Sequence, residues 1–360
     1  MLKKIVFIIF IISVVFNISA SASDSLNEII DNELGLINIE NFDIKEFKND
    51  IIDKGELPDL KGILKKILEI LLKETGDHIK ILLVLIVPVL LMGVLSNLSL
   101  FSDGVINMAE VMCYFLVSGI IIYVFSDITT LFRETVLNID VMSNSMIPVL
   151  YSLMLTMGKV TSYTVMHPTV IFLTRVLIII INKGIFPLIM LSFALNITDN
   201  ITDKEKFKSI STLILKLTKW TLIFLITLFT TVLSAQNILS HSFDTVALKG
   251  TKFVVANFIP VVGGAISEGA ETIGSSLILI KNATGIAGIA GVIVTAFVPV
   301  LRIYIVSFTF NILSVVSRTV SNEKIAKVLD STAGTISMLG ASVISVAFLF
   351  VVSCAIMLVQ

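Results

Sequence analysis

Glu268 and Glu271 sit in NFIPVVGGAISEGAETIGSS (Asn257 to Ser276), a stretch with one proline and four glycines between long apolar runs. Two carboxylates facing lipid would cost several kcal/mol, and irregular backbone at membrane depth survives only where protein or a water-filled cavity satisfies it. The stretch is therefore expected to form a buried hairpin or a cavity lining. Pro260 marks its break, and Gly263 and Gly264 allow a bend or a close helix approach. A related stretch, MIPVLYSLMLTMGKVTSYTVMHP (Met146 to Pro168), has Pro148 at its break and carries Lys159. If the two hairpins face each other, Lys159 would pair with Glu271 or Glu268 in a gate or polar pathway, as where broken helices meet in transporters. A glycine-rich outer loop between two short helices is the structural alternative for the glutamates.

Glu110, Arg175 and Arg302 lie inside apolar runs, and intramembrane ionisable residues are functional candidates by default. Snorkelling to an interface is the other reading of the arginines, preferred for Arg175. His78, His167 and His241 have no carboxylate or cysteine at ligand spacing, so no metal is expected. Serine-hydrolase, zinc-protease and P-loop patterns are missing from the sequence. An enzyme, a cofactor and a nucleic-acid partner are not expected.

The elements that must position these residues are helices in a bilayer. Of the 360 residues 56% are hydrophobic and 15% charged, with a mean hydropathy of +1.00, where a soluble domain is about a quarter charged. Lys3 and Lys4 precede an apolar core from Ile5 to Phe16 and the small residues Ala20, Ser21 and Ala22. That is the pattern of a signal peptide ending at Ala22, with an uncleaved anchor as the alternative. Residues 23–77 are acidic, and PDLKGILKKILEILLKETG (Pro58 to Gly76) reads as an amphipathic helix with its lysines toward water or headgroups. Cys113 and Cys354, both in apolar runs, suggest core residues rather than a disulfide.

Six stretches are long enough to span: 79–100, 105–126, 168–197, 220–238, 284–316 and 334–359. A shift of 112 residues carries Met146-Ile-Pro-Val-Leu onto Phe258-Ile-Pro-Val-Val, and Phe186-Pro187-Leu188 onto Val298-Pro299-Val300. This argues for a tandem repeat with copies at about 105–219 and 220–332 and helix kinks at Pro187 and Pro299. The lysine-rich segment Asp203 to Trp220 belongs in the cytoplasm, which puts the linker 126–145 and the mature N-terminus outside. The expected fold is all-α: a polytopic integral membrane protein of about six long spans plus two broken or re-entrant hairpins. Its parts are a signal peptide (1–22), a small acidic extracytoplasmic helical region (23–77) and a membrane domain (78–360).

DTVALKGTKFVVANFIPVVGGAISEGAETIGSSLILIKNATGIAG (Asp244 to Gly288) strongly resembles the signature region of the stage III sporulation protein AE family of endospore-forming bacteria, and Ile147 to Ser162 fits it too. The resemblance implies a multi-pass protein of the mother-cell membrane facing the forespore. It implies work with other stage III sporulation membrane proteins of the same operon and a forespore-anchored partner, in a channel-like or secretion-like complex. No catalytic residues carry over from it. A stand-alone secondary permease and a pure membrane scaffold are the competing readings.

Overall fold

A computed structural model describes residues 84–91, 103–199, 207–258, 263–319 and 323–359, all of them in helices or the short turns that join or start helices. After the helical stretch 84–91 come α1 (Asp103–Thr156), α2 (Val160–Ile180), a π-turn (Ile181–Ile185), α3 (Phe186–Asp199), α4 (Lys208–Phe258), α5 (Gly263–Thr319) and α6 (Glu323–Val359). Among the described residues five helical segments are long and apolar enough to cross a membrane: Val111–Thr156, Val160–Asp199, Ser209–Val246, Thr284–Thr319 and Glu323–Leu358. The expected signal peptide, acidic region, amphipathic helix and Pro260 lie outside the described residues.

The expected span 105–126, the linker 126–145 and the start of the first hairpin are one helix. α1 has 54 residues, about 80 Å at 1.5 Å per residue, more than twice the ~30 Å of a hydrocarbon core. The linker is polar, yet Ile128, Phe132, Val136, Ile139 and Met142 recur along it at helical spacing and are all buried. One apolar stripe is enough to keep the chain helical and packed. Pro148 therefore does not bend the hairpin. α1 runs through it, and the break comes later, at Gly158.

That break is a Schellman cap. Gly158 takes a φ of 78°, the Lys159 amide donates to the Met154 carbonyl at 3.1 Å, and the Gly158 amide donates to Leu155 at 3.0 Å. Only glycine adopts this backbone without strain. Gly158→Ala is expected to lower stability by about 1 kcal/mol, read as the unfolding midpoint of purified protein. An unchanged midpoint would mean the cap contributes nothing.

At Pro187, where a helix kink is expected, the helix is interrupted by a π-turn. A proline lacks the amide and collides with the carbonyl four residues back, so the turn before it widens. The Phe186 amide bonds to Ile181, five residues back, and α3 resumes with Pro187 in its first turn. Pro299 lies inside α5, which continues past it.

α6 is the centre of the bundle, packed against α1, α2, α3, α4 and most extensively α5. Its sequence suits that place: Gly340, Ala341, Ser342, Ser345 and Ala347 are small enough for backbones to approach. Ser342, Ser345 and Ser353 are buried, and each donates its hydroxyl to a carbonyl one turn back, so none needs water. α4 is the peripheral helix, exposing Trp220, Phe224, Phe243 and Val246.

Candidate functional site

The break after α1 is closed from a distant part of the chain. α2 begins at Val160 with Lys159 at its N-cap and no capping side chain of its own. Asp244, from α4, supplies the cap: its Oδ1 accepts from the Thr161 amide at 2.8 Å and its Oδ2 from the Ser162 amide at 2.9 Å. These are the second and third amides of the helix, which an N-cap side chain ordinarily satisfies. Asp244 is 3% exposed. It also draws on the half-buried Lys159, opposing the burial that pushes that ammonium's pKa down.

A second lysine lies behind the first. Lys281, in α5, is 2% exposed, and its ammonium donates to the Leu358 carbonyl, in the last turn of α6, at 3.4 Å. Burial first, and then the charge of Lys159, push its pKa from 10.5 down to about 8. The unfolded chain keeps its proton up to about 10.5 and the folded chain only to about 8, so between these the unfolded state binds more protons and stability rises with pH. The unfolding midpoint should climb from pH 8 to 10, and Lys281→Met should flatten the climb. A wild-type midpoint that falls across this window would rule out the assignment.

Further ion pairs lie midway along α1. Asp127 accepts from Arg302 of α5 at 2.9 Å. Asp140 accepts from Arg175 of α2 at 3.2 and 3.3 Å, and from Asn144 at 3.1 Å. Arg133 places its guanidinium 4.4 Å from the centre of the Phe186 ring. α1 is thus tied by ion pairs to α2 and α5; its Asp127 side chain is 53% exposed and its Asp140 side chain 17%.

Comparison with known families decides what kind of protein this is: the model of stage III sporulation protein AE matches residues 42–360. The chain belongs to the stage III sporulation protein AE family. It is similar to the stage III sporulation protein AE of Bacillus subtilis (strain 168), with 27% identity over 209 residues, 58% of this chain and 52% of that protein. The chain thus matches about half the length of that curated relative. No solved structure matches it.

For this family member the structure places the described members of the expected pathway, Lys159 and Arg302, beside residues outside the expected set. Lys159 stands at a break, beside Asp244 and Lys281. Arg302 is held by Asp127 and Arg175 by Asp140. Gly263 and Gly264 are the first residues of α5, which also contains Glu268 and Glu271, while α1 contains Glu110; the side chains of these three glutamates lie outside the described residues. Asp244 and Lys281 were not singled out, although both fall within the stretch that carries the family resemblance. A lysine directly after the apolar run Leu277 to Ile280 was the available signal.

Proposed function

We propose that this stage III sporulation protein AE family member is a non-enzymatic integral membrane component of the channel or secretion-like complex between mother cell and forespore. It sits in the mother-cell membrane with its mature N-terminal region, residues 23–77 after a signal peptide, outside the cytoplasm. Other stage III sporulation proteins of its operon and a forespore-anchored partner are its companions. The tandem repeat of about 112 residues, with copies at about 105–219 and 220–332, belongs to the same reading.

One observation carries the channel reading: the ion pairs that join α1 to α2 and α5. A half-exposed charge facing hydrocarbon is costly, and such residues in spanning segments face a bundle interior, a water-filled cavity or a protein partner. The exposed face of α1 carries Asp127, Thr130, Glu134 and Asn144 interleaved with Tyr123, Leu137 and Val141, so polar groups interrupt a face that lipid contact alone would keep apolar. A pure scaffold facing lipid on all sides has no use for them.

The test separates charge from packing. Arg302→Leu is expected to lower the yield of heat-resistant spores by about a hundredfold, with membrane abundance unchanged, and the exchange Asp127→Arg with Arg302→Asp should restore most of it. The figure is the order of magnitude for leaving the Asp127 charge unpaired within a spanning segment, about 2.5–3.5 kcal/mol. Normal spore yield in Arg302→Leu would end the reading. Loss of co-purifying partners in that variant, with spore yield following it, would mark the face as an interface within the complex.

A further inference from the structure

The Lys159 and Lys281 cluster is not absorbed by the ion pairs along α1, and its charges do not balance. Among the described side chains it holds two ammonium groups, Lys159 and Lys281, and one carboxylate, Asp244. Three helix ends also meet there: the C-termini of α1 and α6, each worth about half a negative charge, and the N-terminus of α2, worth about half a positive one. Asp244 offsets one lysine and the helix ends about half of the other, so about half a positive charge is left over among these groups. It is left where water is least able to solvate it, because Lys281 is 2% exposed. Its bond to the Leu358 carbonyl is long, at 3.4 Å, and a single carbonyl does not repay burial of an ammonium.

We propose that this cluster binds the phosphate of an anionic glycerophospholipid headgroup. The position favours a lipid. Lys159 follows the end of α1 and precedes α2, Lys281 precedes the apolar segment Thr284–Thr319, and Leu358 closes the apolar segment of α6. One rim of the bundle therefore presents the cluster, at the level where headgroups sit beyond the ends of the spans. Basic pockets between spanning helices are a recurrent way to hold such headgroups. Lys159 is half-buried and Lys281 is buried. Ammonium groups suit a phosphate, which they bind as point charges.

One further polar atom suits a headgroup that bears hydroxyls beside its phosphate: the Asn282 Oδ1, next to Lys281 in sequence, is buried with no donor. A phosphoglycerol headgroup supplies both a charge for the lysines and a hydroxyl donor for that atom.

The experiment uses the full-length protein in nanodiscs of phosphatidylcholine, alone or mixed with phosphatidylglycerol or phosphatidic acid, and a separate sample in phosphatidylcholine with inorganic phosphate. Lipids that stay bound are counted by native mass spectrometry, and unfolding midpoints are measured alongside. Wild-type protein should retain phosphatidylglycerol over phosphatidylcholine and be stabilised by it. Lys281→Met and the milder Lys159→Gln should each weaken retention by about fivefold, while Lys249→Gln, on an exposed lysine of α4, should not. Equal retention of the two lipids by wild type, or full retention by both Lys281→Met and Lys159→Gln, would overturn the proposal. Stabilisation by inorganic phosphate with none by either anionic lipid would overturn the lipid as the source of the phosphate.

Discussion

Asp244→Ala is expected to destabilise the folded protein by about 3 kcal/mol, the largest effect of any single substitution considered. Two charge-assisted bonds, at 2.8 and 2.9 Å, are lost together, each worth about 1.5–3 kcal/mol. The amide of Ser162, a residue 1% exposed, is left without an acceptor. Lys159 loses a nearby group that favours its charge. Asp244→Asn keeps one acceptor oxygen and should cost about half as much. The midpoints of thermal unfolding in one detergent give the order wild type, Asn, Ala, and limited proteolysis should find new cleavage near Met157 to Val160 in the alanine variant. Midpoints within error of each other would mean that water caps α2 equally well.

Gly340→Leu should cost a similar amount by the opposite cause. A Cβ at Gly340 would stand 3.0 Å from Tyr304 Cε2, 3.2 Å from its Cζ and 3.1 Å from Ile303 Cγ2, so α5 and α6 would have to part at their most extensive contact. Overpacking of this kind costs about 1–3 kcal/mol. Gly334 in the same helix has nothing within 4 Å of such an atom. There Gly334→Ala should be neutral or stabilising by up to about 1 kcal/mol, because glycine is the poorer helix former. Opposite signs at the two glycines would establish close approach as the cause. Equal losses at both would point instead to a general intolerance of α6 to change.

Neither effect was readable in advance, and the reasons differ. Gly340 is one of many small residues in an apolar run, and nothing local distinguishes a glycine that touches a neighbouring helix from one that does not. Asp244 reads as an ordinary acid in a polar patch, because the amides it caps lie more than 80 residues away. The linker 126–145 misled for a third reason. Hydropathy averages both faces of a helix, so a segment with a narrow buried stripe and a charged outer face scores as a loop. The arginines show the same limit: Arg175 was read as reaching for an interface, but its partner Asp140 is 35 residues back on another helix.

By itself the sequence determined the class of protein, the family and the rough places of the long helices. Those depend on composition, on apolar run length and on a contiguous signature stretch, which are local and additive quantities. It also identified Lys159 and Arg302 as unusual, since an ionisable residue in an apolar run stands out wherever it folds. Only the tertiary structure decided which charges meet, that α1 is one long helix through Pro148, and that a break capped from α4 lies beside a buried lysine of α5. Those facts depend on the distance between chain segments far apart in sequence, which packing around α6 sets and no local pattern encodes.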